Sequence, residues 1–247
     1  MTVESNPISR EAVCRIDDNT LETGKIPIVF VPGVMGSRIH FPDIGQSWDP
    51  DSTWAMIHWV RISAERTRQE FALSNPGEVM TDNDDLTQAQ RDRGWPGVAW
   101  GFYGQFVQDL QAQRFGRYQT PVYVIGYDWR QNNRTSGDAV ARRINEILEI
   151  EGVDRFILIS HSMGGLVTRA CLKNNADVAG KLMGVVHIAQ PVHGGVVLVR
   201  RMFTGAVSSV DGGFGLSMVL GNDRKKFATI MSALPGPMQL LVTPAYR

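Results

Sequence analysis

Cysteine is scarce in this chain: Cys14 and Cys171 are the only two among 247 residues. Two thiols so far apart exclude a disulfide-stapled scaffold and fit a reducing compartment. Cys171 falls on an apolar helical pattern and reads as a small buried hydrophobe. Long apolar runs are also missing. No uninterrupted span reaches membrane length, and residues 1–18 lack the apolar stretch of a secretory leader. The expectation is a cytoplasmic protein, with leaderless export as the other route. Nor is there an excess of one charge. With 25 basic and 25 acidic residues, no overall field draws the chain to nucleic acid. No His/Cys cluster has ligand spacing, and no phosphate-cradling loop ends in lysine, so neither metal nor organic cofactor is implied. Repeats and low-complexity blocks are absent as well.

What is present suits one α/β domain over residues 1–247 with a substantial core. After a polar lead-in to Gly24, residues 26–31 read as a buried strand stopped by Pro32-Gly33. Residues 45–94 look irregular and carry Trp48, Trp54 and Trp59, a length that favours an insertion or lid over a simple loop. Phe102, Phe106 and Leu110 recur at helical spacing within 98–113. A strand over 121–127 runs into Tyr127-Asp128-Trp129-Arg130. The helix predicted for 135–150 buries Val140, Ile144, Ile147 and Leu148 and takes Thr135 or Ser136 as its cap. Strands at 156–159 and 185–189 flank a helix at 166–173. Strands separated by helices indicate a mostly parallel sheet with crossovers on both faces. Such sheets bind ligands beyond the carboxyl ends of their strands, where Gly33, Asp128, Ser162 and His193 would gather.

The run Ser160-His161-Ser162-Met163-Gly164-Gly165 follows four apolar strand residues and precedes an apolar helical pattern. A serine on such a sharp strand-to-helix turn is lifted above the sheet, and the residues two before and two after must be small. Ser160 and Gly164 meet that need, which makes Ser162 the candidate nucleophile. A serine hydroxyl needs a base to take its proton and donors to hold the oxyanion. The Met163 amide is one candidate donor. The other is expected from Pro32-Gly33-Val34-Met35-Gly36-Ser37, with Val34 favoured.

Pro27-Ile28-Val29-Phe30-Val31-Pro32-Gly33-Val34-Met35-Gly36-Ser37, Tyr127-Asp128-Trp129-Arg130 and His161-Ser162-Met163-Gly164-Gly165 together resemble the lecithin:cholesterol acyltransferase-like branch of the α/β-hydrolases. The resemblance runs from about Ile26 to the C-terminus. It implies a lipase, phospholipase or acyltransferase working through an acyl-enzyme on Ser162, with oxyanion donors at Val34 and Met163. The substrate is then a lipid or other carboxylic ester. It also implies a lid over residues 45–94 that touches membrane surfaces. Asp128 and Arg130 are expected to brace loops rather than to perform chemistry.

The chain departs from the family pattern after residue 189. The family's acid and histidine follow later strands, yet no further core strand and no histidine after His193 is legible. They are expected beyond Arg247, and the sheet is expected to lack its C-terminal strands. Among local histidines, His161 should diverge from the Ser162 hydroxyl, and His187 should sit in a strand as a satisfied core residue. His193 is the remaining substitute base, with Asp211 or Asp128 as a speculative orienting acid. Residues 194–220 read either as a mobile apolar flap or as core packing. Two classes of function stay open: an ester hydrolase, or an incomplete hydrolase kept as a binding module. An exposed sheet edge would invite a second copy.

Overall fold

A computed structural model describes residues 24–206, 219–220 and 223–246. The chain enters the sheet at β1 (Ile28–Val31), all four residues of which are buried. It then leaves for an excursion built from β2 (Ile39–Phe41), β3 (Gln46–Trp48), α1 (Thr53–Arg61), α2 (Ala64–Glu70), β4 (Glu78–Val79) and α3 (Gln88–Asp92). It returns through α4 (Trp100–Ala112), β5 (Val122–Val124), α5 (Asn133–Glu151), β6 (Phe156–His161), α6 (Met163–Asn174), α7 (Ala176–Gly180) and β7 (Leu182–Ile188). Helices α8 (Val196–Thr204), α9 (Arg224–Met231) and α10 (Pro235–Met238) follow. The main sheet is parallel throughout, in the order β5-β1-β6-β7. This is the mixed α/β architecture expected from the sequence.

Both faces of β1 are covered, because successive side chains of a strand point to opposite sides. Val29 and Val31 face Val140, Ile144, Val167 and Cys171 of α5 and α6. Ile28 and Phe30 face Tyr103 and Val107 of α4, together with Trp95. Helix α5 starts two residues earlier than expected. Its cap is Asn132, whose side chain accepts the Thr135 N–H at 2.9 Å, rather than Thr135 or Ser136. The strand expected over 121–127 closes at Val124. Beyond it, Gly126 lies so near Gly97 that an added β-carbon would stand 2.6 Å from the Gly97 carbonyl oxygen.

The segment that looked irregular has its own three-stranded antiparallel sheet, in the order β3-β2-β4. Trp48 and Trp59 are not surface residues of it: both are fully buried with Phe41, Phe71 and Trp129 in one aromatic cluster. Only Trp54 of the three tryptophans is exposed, at 84%. Arg130 ties the loop after α2 to the loop after β5. Its guanidinium is fully buried, pairs with Asp128 at 2.7 Å and donates to the carbonyl oxygens of Phe71, Ala72 and Asn75. The loop-bracing role expected for Asp128 and Arg130 is therefore what the contacts describe.

Among the described residues no strand follows β7, which forms one edge of the main sheet and leaves Val185, Val186 and Ile188 exposed. Residues 207–218, the middle of the expected flap and the place of Asp211, lie outside the described residues. The flanks of that stretch join the core through Leu198, Ala206, Val219 and Leu220. Among the described residues no helix is long and apolar enough to cross a membrane.

Candidate active site

Strand β6 ends at His161 and helix α6 begins at Met163, so the whole change of direction falls on Ser162. Its backbone sits at φ 51 and ψ −125, a region that a non-glycine residue enters at a cost of roughly 1–3 kcal/mol. Neighbours hold it there. The Ser162 N–H donates to the Ile188 carbonyl at 2.9 Å, tying the turn to the end of β7. Ser160 is completely buried and its hydroxyl bonds His187 Nδ1 at 2.6 Å. A β-carbon on Gly164 would stand 2.3 Å from the Pro32 carbonyl oxygen, so only glycine lets α6 approach the end of β1 so closely. The small-residue requirement read from sequence thus has a specific obstacle on the glycine side.

The turn after β1 lies directly against this bend. Gly36 N–H bonds the Gly33 carbonyl at 3.1 Å, and Met35 takes a positive φ of 60. A β-carbon on Gly33 would fall 3.1 Å from Ser162 Cβ and 3.2 Å from His161 Nδ1. The two stretches expected to supply oxyanion donors are therefore neighbours. Among the described residues neither the Val34 N–H nor the Met163 N–H has an acceptor. The Met163 amide opens helix α6, where the helix dipole favours negative charge.

Sequence reasoning missed Tyr103. It lies on α4 and is buried, accepts the Gly33 N–H at 2.9 Å and bonds His161 Nδ1 at 2.8 Å. Burial pushes its phenol up to about 12, against the pull of the Gly33 hydrogen bond, so the hydroxyl keeps its proton. With a lone pair used by Gly33, that proton goes to His161 Nδ1. Burial also lowers the pKa of His161, and the neutral imidazole then carries its own hydrogen on Nε2.

Both turns open into a cavity of about 760 Å³. Val34, Met35, Met56, Ile57, Val60, Phe102 and Val219 make it largely apolar, and Ser162, His161, Tyr103, Thr53 and Arg61 form its polar part. All five histidines lie within the described residues, and none hydrogen-bonds Ser162. His40 bonds Ser47, and His58 bonds Glu70. His187 is engaged by Ser160 as a satisfied strand residue, but it is half-buried on the edge strand β7 rather than in the core. His193 is exposed and outside the cavity lining; its carbonyl accepts the Thr243 N–H at 2.9 Å. The structure therefore does not bring His193 to Ser162. Asp128 is committed to Arg130.

The lecithin:cholesterol acyltransferase family model matches residues 97–244, well over half of the chain. A curated relative, lecithin-cholesterol acyltransferase-like 4 of Arabidopsis thaliana, is 22% identical over 204 residues, which cover 75% of this chain. The chain spans 38% of that relative's length. Among solved structures, the Tle4-Tli4 complex holds a chain of similar fold, with a TM-score of 0.67 and 23% identity. The match covers 89% of this chain and 55% of that one.

Proposed function

This chain belongs to the lecithin:cholesterol acyltransferase family, and on that premise we propose that it acts on lipid esters through an acyl-enzyme on Ser162. The observation that carries the reading is Ser162 held at positive φ beside the Gly33 turn, at the floor of a large apolar cavity. In the proposed reaction Ser162 Oγ attacks the ester carbonyl. The Val34 and Met163 N–H groups receive the charge that develops on the carbonyl oxygen. The proton that Ser162 gives up goes to the leaving alcohol, and water or a second alcohol then takes the acyl group and returns a proton to Ser162. The apolar wall accommodates the acyl chain. Helix α1 forms much of that wall and exposes Trp54 outward, which supports the segment as a lid that meets lipid surfaces.

A second reading has an observation of its own. Ser162 has no histidine within hydrogen-bonding range, so the same cavity also suits a lipid-binding module that does not turn over substrate. A fluorophosphonate probe separates the two. Labelling that disappears in Ser162→Ala supports an activated serine. A folded wild-type protein that stays unlabelled supports the binding module and removes the hydrolase reading.

A further inference from the structure

We propose that the cavity beside Ser162 selects amphiphiles whose polar end is an oxyanion, and that Arg61 is the residue that recognises it. The inference names the ligand class of the proposed active site and rests on that reading for its consequence in turnover, though not for binding. One face of α1 makes the wall: Thr53, Met56, Ile57, Val60 and Arg61 all line the cavity at helical spacing. The apolar stripe thus ends, in the last helical turn, in a guanidinium. Among the described lining residues Arg61 is the only one with a permanent charge, and none is a carboxylate. Three other arginines are held in ion pairs. Arg38 pairs with Asp49, Arg66 with Glu70, and Arg130 with Asp128. His58, on the same helix, is taken by Glu70. Arg61 is exposed and has neither an ion pair nor a hydrogen bond among the described residues, which leaves its planar fork open to phosphate or carboxylate.

An acyl or alkyl chain laid along this wall would carry its head group to the guanidinium. A phosphate or carboxylate would be held there, whereas a quaternary ammonium would be repelled. Because Arg61 is in contact with water, it sorts head groups more than it adds affinity.

The test uses Ser162→Ala protein and isothermal titration with dodecyl phosphate, dodecanoate, dodecanol and dodecyltrimethylammonium, each kept monomeric. Both anions should bind about tenfold more tightly than the ammonium, as a single charge-assisted contact allows. Phosphate ahead of carboxylate would place the oxyanion in a lipid head group; the reverse would place it on a free fatty acid. Adding Arg61→Gln should erase the preference while leaving dodecanol binding unchanged, with thermal melting confirming the fold. A preference that survives Arg61→Gln overturns the proposal, as does equal binding of anion and cation or no binding at all. Fluorophosphonate labelling of the wild type is scored separately. Labelled protein without charge preference sinks only this inference, and charge preference without labelling sinks only the nucleophile.

Discussion

The hydroxyl of Tyr103 accepts the Gly33 N–H at 2.9 Å, so a side chain on α4 holds the Pro32–Gly33 peptide, one unit before the peptide that carries the Val34 N–H. If the Val34 amide serves an oxyanion, its direction depends on that hydrogen bond. Tyr103→Phe should leave the buried Gly33 N–H without a partner, at a cost of about 1–3 kcal/mol in urea unfolding. Probe labelling of Ser162 should slow by about tenfold, less than the ~10²-fold loss typical of removing an oxyanion donor itself. Unchanged labelling in a destabilised variant would reduce Tyr103 to a packing residue.

Gly164 offers a sharper steric test. A β-carbon there meets two backbone carbonyls, Pro32 at 2.3 Å and Val31 at 2.7 Å, and backbone cannot swing aside as a long side chain can. Gly164→Ala should destabilise by roughly 1–3 kcal/mol, as overpacking does, and displace Ser162 so that labelling falls with it. Gly180→Ala is the control: nothing stands within 4 Å of its added carbon, and its φ is not positive. That variant should be stabilised by about 0.4–1 kcal/mol, because the unfolded chain loses freedom. Thermal melting of the pair settles both signs.

These two tests show where the sequence was informative. The requirement for small residues around Ser162 is written within five consecutive positions, and a turn of that kind has few alternatives. Tyr103 was not legible because it acts on a residue 70 positions away, and nothing in its neighbours Phe102 and Phe106 sets it apart. The insertion was opaque for another reason. Its strands are two or three residues long, too short for alternation to show, so Trp48 reads as a lid residue when it is core, and Trp59 on α1 is buried by Phe41 and Phe71, which its own spacing does not reveal. His193 failed as a base because sequence placed it at the correct sheet edge but could not show that its side chain stays outside the cavity.

Arg130 can be separated from the chemistry. Its buried guanidinium holds Asp128 and three carbonyl oxygens of the insertion, so Arg130→Met strands a partly buried carboxylate and frees those carbonyls together. Breaking such a pair from one side costs about 3–5 kcal/mol. The denaturation midpoint should fall accordingly. Under conditions where the variant remains folded, Ser162 should label at the wild-type rate. A labelling defect in fully folded Arg130→Met would give Asp128 or Arg130 a direct part in the reaction.

Acid should loosen the site through His161. Burial lowers its pKa in the fold below the ordinary 6.5, while the unfolded chain keeps the ordinary value. As pH falls below 6.5, the unfolded state takes up a proton that the folded state still refuses, and unfolding gains. The stability contribution is therefore whole above the unfolded pKa and is lost as pH drops through the folded one. His187, lowered by burial and then by Arg169, acts in the same direction. Melting temperature followed from about pH 8 to about pH 5 should decline, and the decline should be shallower in His161→Gln, which cannot take up that proton. Protonation also puts a hydrogen on Nδ1, so the Tyr103 hydroxyl must turn from donor to acceptor on that side. If His161→Gln and wild type lose stability in parallel over this window, the imidazole is not the group that titrates, and its burial against Tyr103 has no linkage to folding.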